Sequence, residues 1–223
     1  MPSFTLTPIE SRILGCLLEK ERLTPETYPL SLNSLAAACN QSTNREPVTA
    51  YDLKAVEAGV DSLREKKLAT VIFGGGSRVQ KYRHDLLDQF ELDRREVALL
   101  CSLLLRGPET PGELRGRTER MHHFGSLEEV ESCLAALAKD EVRLIRVLPV
   151  RPGQKEKRYV QLLSGEPVLS ETGTEDRIAP SSGPEKPFQD QSRIEAVENG
   201  LSDLKKEVEL LREEFASFRK QFE

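Results

Sequence analysis

Apolar residues fall at helical spacing in four places along the chain: Ile9, Ile13, Leu17; then Leu53, Val56, Val60, Leu63; then Leu99, Leu103; then Val130, Leu134, Leu137. Four start signals accompany these stripes. A Ser or Thr hydroxyl caps the first free amides while an acid three residues on answers the cap's own amide. Thr7-Pro8-Ile9-Glu10, Thr110-Pro111-Gly112-Glu113 and Ser126-Leu127-Glu128-Glu129 have that form, and Thr49-Ala50-Tyr51-Asp52 is an Asp variant of it. Behind the helical stripes the period changes. Leu68–Phe73 reads as a strand, Gly74-Gly75-Gly76-Ser77 as a flexible tip and Val79–His84 as the return strand. A second hairpin runs from Val142–Val150 through Arg151-Pro152-Gly153-Gln154 to Arg158–Leu163.

Helix, helix, helix, strand, wing, strand is the winged-helix order, and it occurs twice. A shift of 86 places Ile13, Leu14, Leu17 and Leu18 on Leu99, Leu100, Leu103 and Leu104, and Thr24-Pro25 on Thr110-Pro111. Near the wing the shift falls to 77, where Lys81-Tyr82 meets Arg158-Tyr159. The first repeat therefore carries an insertion, placed between Tyr28 and Pro47. The expected fold is α+β and mainly helical: winged-helix domains at 1–88 and 89–165, a flexible linker at 166–190 and a coiled coil at 191–223. The linker is rich in Pro, Ser, Thr, Gly and acids, with too little apolar surface to offset ordering entropy.

The coil follows from spacing. Ile194, Leu201, Val208 and Phe215 take heptad position a, and Val197, Leu204, Leu211 and Phe218 take d. In a parallel pair Arg193 faces Glu198, Glu207 faces Arg212 and Glu214 faces Arg219, all opposite in sign. This predicts a homodimer, against the alternative of an amphipathic helix folding back on its own domains.

Charge redirects the functional expectation that a helix-turn-helix brings. The chain has 223 residues and a net charge of −5, which argues against non-specific nucleic-acid binding by the whole chain. Both third helices are acidic: Asp52, Glu57 and Asp61 in the first, Glu128, Glu129 and Glu131 in the second. Carboxylates there would face phosphate oxygens, so readout by a third helix in the major groove is not expected. Positive charge gathers on the hairpins and on the second helix of the second repeat. Arg78, Lys81, Arg83, Arg115, Arg117, Arg151, Lys155, Lys157 and Arg158 are the candidate contacts to the phosphate backbone of duplex DNA. The bland alternative is charge that keeps strand edges unpaired. A competing surface for a protein partner comprises the amide-rich insertion (Asn40, Gln41, Asn44, Arg45) and Glu128 and Glu129. Those amides also suit a structural role, tying the loop to backbone groups.

Catalysis has little to draw on. Three histidines lack a nucleophile–base spacing, the glycine run opens no helix, and Cys16, Cys39, Cys101 and Cys133 form no ligand pair. The expectation is a non-enzymatic protein with no cofactor and no metal, its cysteines buried in a reducing compartment. Neither a signal peptide nor a membrane span is visible, which predicts a cytoplasmic location.

Four strings carry a resemblance: YPLSLNSLAAACNQSTNREPV (28–48), GSRVQKYRH (76–84), LLLRGPETPGELRGRTERMHHF (103–124) and RPGQKEKRYVQLL (151–163). They resemble the YceH-like family of bacterial tandem winged-helix proteins, over about residues 5–166. The resemblance implies the tandem winged-helix fold and a cytoplasmic bacterial protein, and no substrate. Ser42 stands where Lys is expected, and Gln161 where His is. The linker and coil lie outside this core.

Overall fold

Local capping chemistry sets where the helices begin. In the computed structural model, which describes residues 4–73, 79–139, 143–150 and 156–167, helix α1 (Pro8–Leu23) opens on a complete box. The Thr7 amide donates to Glu10 Oε2 at 2.6 Å, and the Glu10 amide donates to Thr7 Oγ1. The same box opens α6 (Pro111–Thr118) at Thr110, and Ser126 caps α7 (Leu127–Leu137). A further box, Asp93 with Glu96, opens α5 (Arg94–Arg106) and was not among the expected starts.

One expected cap is displaced. Helix α3 (Leu53–Glu65) is capped by Asp52, whose Oδ1 accepts from the Ala55 amide at 2.7 Å, not by Thr49. The reason lies in the preceding loop. Asn40, just past α2 (Leu32–Cys39), accepts from the Tyr51 amide at 2.8 Å and donates to the Tyr51 carbonyl at 2.7 Å, so the chain at Tyr51 is tied down before the helix starts. Leu53 consequently stands at the first helical position and is exposed, while Val56, Val60 and Leu63 are buried.

Between α1 and α2 lie a 3₁₀ turn (Pro25–Thr27) and strand β1 (Leu30–Ser31). Strands β2 (Ala69–Phe73) and β3 (Gln80–His84) pair antiparallel from Ala69 with His84 to Phe73 with Gln80. β1 joins the other edge of β3, Leu30 opposite Tyr82, giving the order β1-β3-β2. A short helix, α4 (Leu86–Gln89), leads to the second repeat, where β4 (Ile145–Leu148) and β5 (Arg158–Gln161) form the second hairpin. Glu109 makes an isolated bridge to Tyr159 there, exchanging both backbone bonds at 2.8 and 3.0 Å. It occupies in the second repeat the place that Leu30 occupies in the first, against the tyrosine that corresponds to Tyr82.

The repeat is thus visible in three dimensions, with its offsets corrected. The caps Thr7 and Asp93 are 86 residues apart, Ser31 and Thr110 79, and Asp52 and Ser126 74. Thr24-Pro25 therefore does not correspond to Thr110-Pro111; it opens the 3₁₀ turn, and Ser31 is the true counterpart. The extra residues of the first repeat fall in two places, before α2 and after it.

All described residues belong to one compact unit, and one core runs through both repeats. Its centre is the contact of α1 with α5. Cys101 Sγ donates to the Gly15 carbonyl at 3.3 Å, and a Cβ on Gly15 would stand 2.8 Å from Leu105. The Leu6 amide donates to the Leu163 carbonyl at 2.7 Å, and the Glu46 amide to the Leu105 carbonyl at 2.9 Å. Helix α1 is buried nearly all round, Glu10, Ser11, Arg12 and Glu19 included. No helix among the described residues is long and apolar enough to cross a membrane. The heptad positions Ile194, Val197, Leu201, Leu204, Val208, Leu211, Phe215 and Phe218 lie outside the described residues, as do Arg78, Arg151 and Lys155.

Candidate macromolecular interface

The amide-rich loop is turned largely inward. Arg45 is 4% exposed, and its guanidinium bonds Glu19 through both carboxylate oxygens, at 2.6 and 3.0 Å. It also donates to Gln41 Oε1 and to the carbonyls of Ala38 and Asn44. Burial opposes ionisation of Glu19, but the Arg45 bonds and charge outweigh it and hold the carboxyl below its usual range. Asn40 fixes Tyr51, Gln41 receives Arg45, and Asn44 sits at φ 60° with its side-chain oxygen receiving Arg106. On this geometry the donors of Arg45 are spent inside the fold, because a buried cation must be paired.

The basic candidates divide by what they already hold. On α6, Arg115 donates to the carbonyls of Phe124 and Gly125, clamping the turn into α7. Arg117 bonds the fully buried Glu109, whose other oxygen receives Ser102 at 2.6 Å. That bond raises the Arg117 pKa further. On β5, Arg158 pairs with Glu113 at 3.0 Å and donates to the Pro108 carbonyl. On β3, Arg83 pairs with Asp85 at 3.1 Å. Only Lys81 and Lys157 of the described candidates have no bonded partner among the described residues.

The third helices present the reverse picture. α3 exposes Leu53, Lys54 and Glu57; α7 exposes Leu127, Glu128 and Glu131. Leu53 is 44% exposed and Leu127 40%, and each stands first in its helix with an acid one turn on. Glu129 is partly withdrawn, accepting from the Gly125 amide at 2.9 Å, whereas Glu128 is fully solvated beside its Ser126 cap. The acids were expected on these faces, whereas Leu53 was expected in the apolar stripe with Val56, Val60 and Leu63, and Leu127 only as part of the cap at Ser126. The buried carboxylates Glu19 and Glu109 had no signal in spacing, since their partners lie 26 and 8 residues away. Among the described residues no group of three or more His, Cys, Asp and Glu is placed to hold a metal ion.

The family model described as "Protein of unknown function, DUF480" matches residues 6–154. A UPF0502 protein of Citrifermentans bemidjiense is 55% identical over 167 residues, which is 75% of this chain and 77% of the relative. One from Opitutus terrae is 52% identical over 170 residues, covering 76% and 74%. One from Geobacter sulfurreducens is 46% identical over 219 residues, 98% of each chain, so likeness reaches past the core into the C-terminal segment. The chain accordingly belongs to the DUF480 family of bacterial proteins, whose relatives carry the name UPF0502, in keeping with the YceH-like resemblance.

Proposed function

We propose that the chain is a non-enzymatic tandem winged-helix protein whose exposed third helices bind a protein partner. The element order supports the fold: helix, short strand, helix, helix and hairpin, with the short strand on the β3 edge and the Glu109 bridge repeating it. The observation that carries the functional reading is the pairing of cations. Arg83, Arg115, Arg117 and Arg158 all bond groups of their own fold, so a phosphate backbone would have to displace those bonds. The third helices instead offer a half-exposed leucine with a carboxylate one turn on, suited to a basic partner surface with an apolar anchor.

A second reading has its own support. Lys81 and Lys157 are uncommitted at corresponding hairpins, and with Arg78, Arg151 and Lys155 they would supply phosphate contacts to duplex DNA. The heptad from Ile194 to Phe218 would double either surface by joining two chains.

A photo-crosslinking side chain at position 128 in living cells, paired with anisotropy on a labelled duplex across a salt series, separates the readings. The expected result is a discrete protein adduct abolished by Leu127→Asp, with no duplex binding at low salt. Absence of an adduct together with salt-sensitive duplex binding, weakened by Lys81→Glu and Lys157→Glu, would overturn the protein reading. For the coil, ending the chain after residue 167 should halve the mass seen by light scattering; an unchanged mass would place the dimer seam elsewhere or deny it.

A further inference from the structure

In the sheet β1-β3-β2, β1 seals one side of β3 and β2 ends the sheet on the other. The Asp85 amide donates to the Leu68 carbonyl at 2.9 Å. Alternation from that bond turns the backbone groups of Thr70 and Ile72 towards β3 and those of Ala69, Val71 and Phe73 outward. Among the described residues no other backbone or side-chain group bonds that outward row. Charge and proline ordinarily keep such an edge from pairing, and Ala-Thr-Val-Ile-Phe has neither. Its last residue, Phe73, is 66% exposed.

The second repeat has the same edge, differently furnished. Val147 stands opposite Tyr159 as Val71 stands opposite Tyr82, so β4 is the counterpart of β2. The Leu162 amide donates to the Leu144 carbonyl, which sets the same alternation there. Arg146 stands where β2 has Thr70, and it pairs with Glu166. Pro149 stands where β2 ends in Phe73, and it has no amide to offer a neighbouring strand. One molecule thus carries this edge twice, guarded in one repeat and bare in the other.

We propose that β2 pairs antiparallel with β2 of a second copy of this chain, across a two-fold axis at Val71. About that axis Val71 meets its own equivalent and Ala69 meets Phe73 of the other copy, so the outward residues of both strands match one another and exchange their backbone bonds. Thr70 falls opposite Ile72, and no charge faces a charge. The exposed Phe73 ring comes to lie beside the small Ala69 and diagonal to Val71, which covers it. The strand is therefore its own complement. Five residues are too few to hold two chains alone, so the pairing rests on the heptad from Ile194 to Phe218 joining the chains and concentrating one edge against the other.

Val71→Cys in the full chain tests the axis, because a residue on it meets itself at a Cα separation of about 5.5 Å, within disulfide reach. The four native cysteines are buried and free, so they give little background. Oxidation with copper–phenanthroline should yield a covalent dimer on a non-reducing denaturing gel. Val147→Cys, the guarded counterpart at 39% exposure, should remain a single chain. Adding Phe73→Lys to Val71→Cys should abolish the dimer band with the melting temperature unchanged. Light scattering separates the strand from the coil. A dimeric mass without the Val71→Cys crosslink would overturn the strand pairing and leave the coil standing, and a monomeric mass without it would overturn both. A crosslink equally strong in Val147→Cys, or surviving Phe73→Lys, would overturn the pairing as chance collision. A photo-crosslinking side chain at the exposed position 73 in cells reads the same contact without Val71→Cys. An adduct of twice the chain's mass is expected, and an adduct with a different protein would assign the edge to a foreign strand and overturn self-pairing.

Discussion

Replacing Arg45 with Met tests whether the insertion is held by its buried ion pair. The change removes both bonds to Glu19 and the donors satisfying Gln41 and the Ala38 and Asn44 carbonyls, while roughly keeping side-chain length. Breaking a buried pair from one side costs about 3–5 kcal/mol, because the remaining charge is left uncompensated. Lys20, 3.4 Å from Glu19, persists and sets the expectation at the lower end, about 3 kcal/mol. For a unit of this size that is on the order of 6–12 °C in melting temperature. The pH dependence identifies the cause. In the wild type the folded-state pKa of Glu19 is lowered, so its contribution is present above the unfolded value of 4.5 and lost as pH falls through the folded value. Without Arg45, burial raises the folded value instead, and the penalty disappears on protonation. The gap between wild type and variant should therefore be widest near neutrality and narrow towards about pH 4.5. Thermal melts by circular dichroism at both pH values measure it. A shift below about 2 °C at neutral pH, or a gap equally wide in acid, would refute the reasoning.

Gly15→Ala should destabilise by about 1 kcal/mol net, since overpacking against Leu105 and the Leu104 Cβ at 3.2 Å exceeds the helix gain. Gly59→Ala meets the yielding end of Ile13 and makes ordinary contact with Ile9, and should be neutral or stabilising; equal effects in urea titrations would count against a tight α1–α5 seam. Asp52→Ala removes the cap of α3 and should cost about 1 kcal/mol, whereas no change would return the cap to Thr49. All four cysteines are free and buried, and burial pushes the Cys133 thiol up to about 12, so a thiol reagent should label none in the native protein and all four in denaturant. Rapid native labelling would contradict that burial.

Local signals explain most of what the sequence made legible. Boxes at Thr7 and Thr110 and the alternation at Leu68–Phe73 depend only on neighbours, and the helices and hairpins appear there. The break in the repeat was misplaced because Thr-Pro reads alike whether it opens a 3₁₀ turn or an α-helix; the choice is made by whether β1 must reach β3 first. Thr49 lost its cap to a contact eleven residues back, from Asn40 to Tyr51, which no periodicity encodes. The candidate site suffered most from this blindness. Counting Arg and Lys locates positive charge, but only three-dimensional placement reveals that Arg117 is consumed by Glu109, Arg45 by Glu19 and Arg158 by Glu113.

The seam between α1 and α5 has a further implication. Cys101 is the counterpart of Gly15 under the shift of 86, and the two touch each other. A residue meeting its own equivalent is what a two-fold axis between halves produces, as in the self-complementary interface of a symmetric dimer. At this point of the core, Gly15 on α1 and Cys101 on α5 meet as equivalent positions. Bulk gained at Gly15 meets Leu105 across this seam, so Gly15→Ala with Leu105→Ala should be coupled by about 0.5–3 kcal/mol in a double-mutant cycle.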